Sequence, residues 1–191
     1  MTTSYSAEHP RLGTIVIGNC VPLRKCKGLY LLILDVPRDI ILLTKRRKFI
    51  IKRGKYVYVG SAFQQGGLPA RINRHLHDKK KLFWHIDFLL QYSIINTVIL
   101  ITSFSRKRDL EAKISYCIWK KKFFEPIRGF GASDLKSVLT NLYRYKRSNN
   151  DITELENYLL EILLTTNLGK ELNQAFIILA RIFKRRDKRK T

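Results

Sequence analysis

The feature that most constrains the fold is a near-continuous apolar run, Gly28–Val36 (GLYLLILDV), which ends at Pro37. An apolar run of this length is typical of a β-strand. Residues 55–60 (KYVYVG) indicate another strand, because aromatic and β-branched side chains favour the pleated conformation. Together the two runs predict a sheet. Shorter patterns predict further strands at residues 39–44, 48–51, 97–103 and 141–145, helices at residues 68–76, 84–92 and 109–122, and a loop at residues 124–135.

A polar stretch at residues 146–150 (KRSNN) separates this mixed region from a C-terminal part with a helical pattern. Apolar residues recur there at helical spacing, first at positions 152, 155, 159 and 162, then at 172, 176, 179 and 183. We therefore predict an α+β fold with an appended C-terminal helical hairpin and a basic tail at residues 184–190. The predicted units are a leader (1–27) with one short strand at residues 14–17, a central domain (28–145) and the extension (146–191).

The charge of the chain narrows the choice of partner. Lys and Arg total 37 against 15 Asp and Glu, which gives a net charge of +22 and a pI near 10.2. Proteins with such an excess of positive charge usually bind a polyanion, most often nucleic acid and next an anionic membrane surface. A basic surface that serves solubility alone is the third interpretation. The charge therefore favours a nucleic-acid partner.

The sequence predicts a cytoplasmic protein without a membrane anchor. No apolar run approaches the ~20 residues that span a bilayer, and residues 1–10 lack the basic and apolar regions of a secretory signal. Cys20, Cys26 and Cys117 fit no zinc-ligand spacing. Reduced cysteines used as small apolar residues are typical of an intracellular location.

Five residues carry the candidate chemistry. Two tyrosines stand on the predicted strands, Arg71 and His75 lie one turn apart on a predicted helix, and Glu111 follows on another helix. If the tyrosines share a sheet face, their hydroxyls point into one cleft. Arg71 suits phosphate oxygens, and Glu111 offers a hard oxygen ligand for one Mg²⁺ or Mn²⁺ ion. The five residues are Tyr30, Tyr58, Arg71, His75 and Glu111.

Each of these residues also has an ordinary structural interpretation. The tyrosines are equally suited to a hydrophobic core, arginines usually lie on the surface, and Glu111 has basic neighbours for helix ion pairs. Either tyrosine suits the role of general base, provided that a nearby cation lowers its pKa from about 10. His75 suits a proton relay or a phosphate contact.

The order of these five residues resembles the catalytic series of the GIY-YIG nucleases, and the resemblance implies that they are the candidate catalytic residues. Gly28-Leu29-Tyr30 stands where the family has its first tripeptide, and Tyr58-Val59-Gly60 where it has the second. Within the family the chain resembles the archaeal Uri-type endonucleases in three further blocks: GGLPARINRH (residues 66–75), WHIDFLL (84–90) and GFGASD (129–134). It departs from them where they have cysteines, with Ala112, Ala132 and Leu135 instead.

The resemblance implies a small antiparallel sheet flanked by helices, with Glu111 as the metal ligand. It implies a metal-dependent endonuclease that cleaves DNA, with RNA not excluded, in repair or recombination, although the sequence does not separate these roles from defence. The alternative is a non-catalytic nucleic-acid-binding module on the same fold. In the WHID block, Trp84 is expected to pack and Asp87 or His85 to bond the backbone, while Ser133 and Asp134 are candidates for a metal or phosphate contact.

Basic residues around this series are expected to contact the phosphate backbone. Such contacts provide affinity that depends on salt rather than on sequence, so we expect selectivity for nucleic-acid structure. Three alternatives remain for the C-terminal helices: DNA binding through residues 184–190, a homodimer through their apolar stripe, and packing on their own domain. The predicted nucleic-acid-binding residues are Lys52, Arg53, Arg74, Lys79, Lys80 and Lys81.

Overall fold

The apolar run Gly28–Val36 is the central strand of the protein. The computed structural model describes residues 12–17, 26–45, 47–77, 80–102, 109–131, 139–147, 151–165 and 177–182. Within these ranges it contains β1 (Leu12–Ile17), β2 (Gly28–Val36), β3 (Ile40–Leu43), β4 (Lys48–Ile51), β5 (Gly54–Ala62), α1 (Gly67–Leu76), α2 (His85–Leu89), β6 (Ile94–Thr102), α3 (Leu110–Trp119), β7 (Phe124–Pro126), β8 (Leu142–Tyr145), α4 (Ile152–Thr165) and β9 (Ile177–Ile182).

Seven strands form one antiparallel sheet in the order β1-β9-β6-β2-β5-β8-β7. β2 pairs with β5 along its whole length and with β6 on its other edge. Because both edges and both faces of β2 are covered, nearly every residue of the strand is buried, which explains why its sequence is apolar rather than alternating. β3 and β4 form a separate two-stranded hairpin.

Helices cover both faces of the sheet. The tyrosine face, which carries Tyr30, Leu32 and Tyr58, packs against α1, α2 and the inner side of the β3–β4 hairpin. The opposite face packs against the apolar residues of α3 and α4. The protein is therefore an α+β fold with an antiparallel sheet between helices, as the sequence predicted.

The prediction of a second helix in the C-terminal hairpin is wrong. Residues 177–182 form β9, which pairs with β6 on one side and β1 on the other. Ile177 and Leu179, two residues apart, both pack into the core cluster of the opposite face. The run also satisfies a strand pattern, and pairing with the open edge of β6 gives its backbone partners that an isolated helix turn would not have.

The sheet includes strands from all three units that the sequence predicted. β1 comes from the predicted leader and β9 from the predicted extension. The apolar stripe of α4, which includes Leu155, Leu159 and Ile162, is buried against the sheet and α3. The stripe of α4 therefore packs on its own domain, whereas the homodimer stays a prediction.

Several shorter elements agree with the sequence, and one does not. The hairpin strands, β8, the short strand in residues 14–17 and the first C-terminal helix are confirmed. Residues 124–126 form the edge strand β7 instead of a loop. No helix within the described ranges is long and apolar enough to cross a membrane. The basic tail at residues 184–190, Lys79, Ser133 and Asp134 lie outside the described residues.

We expect α4 to contribute to global stability, because its apolar residues belong to the core. The Leu159 side chain is 0% exposed whereas Leu164, on the same helix, is 61% exposed. Leu159→Ala should lower the free energy of unfolding by about 2–5 kcal/mol, measured by urea denaturation. Leu164→Ala is the matched control and should change it by less than about 0.5 kcal/mol. Equal effects would show that α4 is not docked as described.

Candidate active site

The two tyrosines lie side by side on the tyrosine face. In the register of β2 and β5, Tyr30 is opposite Gly60 and Tyr58 is opposite Leu32, so the tyrosines are diagonal neighbours. Their ring centroids are 6.3 Å apart. Both side chains are largely buried, with 2% of Tyr30 and 8% of Tyr58 exposed. The structure therefore joins the two tripeptides in one place.

Gly60 makes room for the Tyr30 ring. A Cβ built on Gly60 would lie 2.3 Å from the Tyr30 Cζ atom and 2.4 Å from its hydroxyl oxygen. Any side chain at position 60 would therefore displace the ring. The glycine of the second tripeptide is required by the tyrosine of the first one, which is a physical reason for their joint occurrence.

His75 connects α1 to the first tyrosine. Its Nε2 atom lies 2.8 Å from the Tyr30 hydroxyl, and 4% of the side chain is exposed. Burial, reinforced by the Lys80 cation, lowers the pKa of His75 to about 3. The imidazole is therefore neutral at physiological pH. When Nε2 is unprotonated, it accepts the hydrogen bond from the Tyr30 hydroxyl.

Arg71 lies one turn before His75 and stacks on an aromatic ring. Its guanidinium carbon is 4.0 Å from the centroid of the Trp84 ring, a distance typical of a cation–π contact. Among the residues that the structure describes, Arg71 forms no ion pair with a carboxylate. Its charge also acts on the tyrosines, since Arg71 lowers the pKa of both Tyr30 and Tyr58. The stacking on Trp84 thus fixes the Arg71 cation in place near the tyrosine pair.

Arg74 forms an ion pair that the sequence did not predict. Its Nη2 atom donates to Asp87 Oδ2 at 2.6 Å and to the Lys81 carbonyl at 2.9 Å. The Asp87 side chain is fully buried, and the same oxygen accepts hydrogen bonds from the backbone nitrogens of Phe83 and Trp84. Arg74 therefore neutralises a buried carboxylate that anchors the start of α2. The backbone role predicted for Asp87 is confirmed.

Glu111 reaches the same region from the other side of the sheet. Its helix, α3, packs on the opposite face through Leu110, Ile114 and Ile118. Glu111 lies in the first turn, and its Oε1 atom accepts a hydrogen bond from Asn141 Nδ2 at 2.9 Å. The Glu111 charge raises the pKa of both tyrosines. The carboxylate therefore acts on the tyrosine cleft although its helix does not lie on the tyrosine face.

Asn141 links Glu111 to the loop beside Tyr58. Its Nδ2 atom is 3.4 Å from the Gly131 carbonyl oxygen, and a Cβ on Gly131 would lie 3.5 Å from the Tyr58 ring. The same glycine donates its backbone N–H to His85 Nδ1 at 2.9 Å, which confirms the backbone role predicted for His85. The GFGASD block therefore shapes the cleft through Gly131.

Both tyrosines are poor bases in this environment. Desolvation by burial is the largest influence on each, and it raises both pKa values well above the usual 10 despite the opposing effect of Arg71. Arg71 lowers each tyrosine pKa, as the sequence suggested, but burial outweighs it, so the net shift in the protein alone is upwards. The neutral Tyr30 phenol can instead donate a hydrogen bond to His75 and accept one through its oxygen.

One carboxylate and one amide oxygen could hold a divalent cation here. The side-chain oxygen of Asn141 is buried and has no hydrogen-bond partner in the described part of the chain, and it belongs to the side chain that contacts Glu111. No group of three or more His, Cys, Asp and Glu residues suited to a metal occurs within the described ranges. This oxygen-only set fits Mg²⁺, which keeps several waters and takes few protein ligands.

The other predicted nucleic-acid contacts are spread around this centre. Lys52 pairs with Asp39 at 3.0 Å on the surface, and the Arg53 backbone N–H donates to the same aspartate. The Lys80 Nζ atom donates to the last-turn carbonyls of Arg74 and His75. The exposed Lys81 accepts from Arg74 through its carbonyl. Lys80 thus helps to end α1, whereas the Lys81 side chain faces solvent.

Two residues with a clear place in this cleft were not predicted for it. Trp84 was expected only to pack, yet it stacks with Arg71. Asn141 gave no signal, because a single asparagine before a strand is common in turns. Its contact with Glu111 joins residues 30 positions apart, so only the folded chain reveals it.

The depressed pKa of His75 predicts a pH-dependent stability. In the unfolded chain the pKa is about 6.5, so below that pH the unfolded state binds a proton that the folded state excludes. Stability is therefore lost as the pH falls from about 6.5 towards 3, by up to about 1.4 kcal/mol per pH unit. Urea denaturation between pH 7 and pH 5 should show a shallower dependence for His75→Gln than for the parent protein.

The exposed His77, one position beyond α1, is the matched control. His77→Gln should retain the parental pH dependence. If His75→Gln and the parent protein lose stability equally over this range, His75 is not buried in the neutral form.

Comparison with known proteins identifies the family. The family described as "Domain of unknown function DUF123" matches residues 29–164, which is more than half of the chain. No curated protein and no solved structure matches the chain significantly. The matched region begins in β2 and ends in α4, so it contains every residue of the cleft described above. The chain therefore belongs to the DUF123 family, which is a GIY-YIG-like family.

Proposed function

We propose that this protein is a metal-dependent endonuclease that hydrolyses phosphodiester bonds in DNA. The observation that carries the proposal is the proximity of side chains from four separate elements. Tyr30 and Tyr58 are diagonal neighbours on the sheet, and Arg71 lies one helical turn from His75, which contacts Tyr30. Glu111 bonds Asn141, whose amide also contacts the Gly131 loop beside Tyr58. A protein that only binds nucleic acid has no need of a carboxylate in a cleft meant for phosphate.

Arg71 is the residue that we assign to the scissile phosphate. A guanidinium offers two parallel donors to phosphate oxygens and retains its charge at every relevant pH. Trp84 holds the guanidinium plane, and Arg71 is not neutralised by a carboxylate of the described chain. Arg74, only three residues away, is already paired with Asp87. The two arginines therefore have different roles, with Arg71 binding substrate and Arg74 supporting α2.

We assign the orientation of the attacking water to Tyr30 together with His75. The Tyr30 hydroxyl donates to the neutral imidazole when Nε2 is unprotonated, so its oxygen can accept a hydrogen bond from the water. Because the raised pKa of each phenol and the lowered pKa of His75 make all three groups poor proton acceptors, we assign them to binding and orientation instead of proton removal. Tyr58 then orients water or phosphate through its hydroxyl.

Glu111 and Asn141 are the residues that would hold one Mg²⁺ or Mn²⁺ ion. When bound, such an ion supplies positive charge to the phosphate oxygens and lowers the pKa of water. The Asn141 amide fixes the Glu111 carboxylate through the hydrogen bond between them, which limits the entropy lost when a ligand binds.

We further propose that the protein is of the Uri type within the GIY-YIG-like families and acts on DNA in the cytoplasm, in repair or recombination. The three sequence blocks after the tripeptides support the first statement. The three cysteines of the chain, which cannot all pair with one another, support a reducing compartment. The net charge of +22 supports a nucleic-acid substrate and salt-dependent affinity.

Supercoiled plasmid and labelled flap, bubble and junction DNA, with RNA counterparts, test the activity. Cleavage should require Mg²⁺ or Mn²⁺ and stop in EDTA. Glu111→Ala and Arg71→Ala should each lower the rate at least about 100-fold while DNA remains bound in a gel-shift assay. Glu161→Ala, which removes a carboxylate from an exposed position on α4, should cut at the parental rate.

Two results would contradict the proposal. Cleavage that survives in Glu111→Ala would remove the carboxylate from the mechanism. Tight binding of DNA without any metal-dependent cleavage would favour the alternative, a nucleic-acid-binding module on the same fold.

The Asn141 contact predicts a metal-specific phenotype. Asn141→Ala should raise the Mg²⁺ concentration that gives half-maximal cleavage by about 10- to 100-fold, because residues that orient a metal ligand typically have effects of this size. A titration of rate against Mg²⁺ measures this shift. A variant that needs no additional Mg²⁺ but loses rate at saturation would show that Asn141 acts elsewhere.

A further inference from the structure

Two adjacent aromatic rings stand in solvent beside Arg71. The Phe83 side chain is 64% exposed and that of Trp84 is 38% exposed. The rings pack edge to face, with centroids 5.3 Å apart and an interplanar angle of 84°. Large aromatic side chains are usually buried, so an exposed pair next to a candidate active site indicates a binding surface.

The backbone of this pair is fixed from within the protein. The fully buried Asp87 accepts hydrogen bonds from both backbone N–H groups, each at 3.0 Å, and its charge is balanced by Arg74. The exposed rings therefore stand on a segment that is held by a buried ion pair. A rigid aromatic surface loses little entropy when a flat ligand binds to it.

Cations surround the rings. The Arg71 and Arg74 guanidinium carbons lie 4.0 and 4.9 Å from the Trp84 ring centroid. The Lys45 Nζ atom, in the turn of the β3–β4 hairpin, lies 5.7 Å from the Phe83 ring centroid. A ligand on this surface should therefore combine a flat ring with negative charge. An unpaired nucleotide has both, whereas the bases of an intact duplex are already stacked on each other.

We propose that Phe83, supported by Trp84, is a stacking platform for an unpaired nucleobase next to the phosphate bound by Arg71. This inference rests on the proposed function and names its substrate class, which is DNA with single-stranded nucleotides at or near the cleavage position. Stacking of a base on an aromatic side chain tolerates every sequence. It therefore accounts for selectivity by nucleic-acid structure instead of by sequence.

A binding experiment without catalysis tests the platform. The probe is an oligonucleotide duplex with a short bubble that contains 2-aminopurine, compared with the same duplex fully paired, in EDTA. The parent protein should bind the bubble more tightly and quench the fluorescence of one unpaired 2-aminopurine through stacking. Phe83→Ala and Phe83→Leu should each reduce the ratio of bubble to duplex affinity by about tenfold. Leucine retains apolar bulk but has no ring.

Tyr92 provides the matched control, since it is another exposed aromatic residue, 46% accessible, just after α2. Tyr92→Ala should keep the parental affinity ratio. Equal binding of bubble and duplex by the parent protein, or full retention of the preference in Phe83→Leu, overturns the inference.

The outcome is separable from that of the nuclease proposal. A protein that cuts DNA with Mg²⁺ but shows no Phe83-dependent preference contradicts the platform alone. A protein that shows the preference in EDTA and never cuts contradicts the nuclease proposal and supports the platform.

Discussion

The candidate site depends on the antiparallel register between β2 and β5. That register places Tyr30 opposite Gly60 and makes Tyr58 its diagonal neighbour on the same face. A slip of one residue would turn one tyrosine to the opposite face, and the Tyr30 ring would meet a side chain instead of the space above Gly60. Pairing of β2 with β6 on its other edge fixes the strand and hence the cleft.

Burial then sets the protonation of the groups in that cleft. The sheet and α1 remove His75 and both tyrosines from water, so all three are neutral at physiological pH, as the directions of their pKa shifts require. Arg71 and Glu111 are charged, and they act on the tyrosines from helices on different faces of the sheet. A neutral hydrogen-bonded pair beside one cation and one carboxylate is the environment on which the proposed phosphodiester hydrolysis rests.

Local sequence predicted the elements whose residues carry their own signal. The apolar length of β2, the β-branched residues of β5, and the spacing of Leu68, Ile72 and Leu76 in α1 each indicated one conformation. The prediction for β9 was wrong because its apolar residues fit both a helix and a strand. Which of the two conformations forms depends on the free edge of β6, which is distant in sequence. The prediction of a loop in place of β7 was wrong because a strand of three residues has almost no local signal without its partner β8.

The sequence by itself determined which residues are available, namely two strand tyrosines, Arg71 and His75 one helical turn apart, and a single glutamate at the start of a later helix. Covalent order and periodicity are enough for that, because they are local properties. Only the tertiary structure decided that Arg74 forms an ion pair with Asp87 while Arg71 stacks on Trp84. It also decided that Asn141 donates a hydrogen bond to Glu111. These contacts join distant parts of the chain, and their geometry arises from packing that no local pattern encodes.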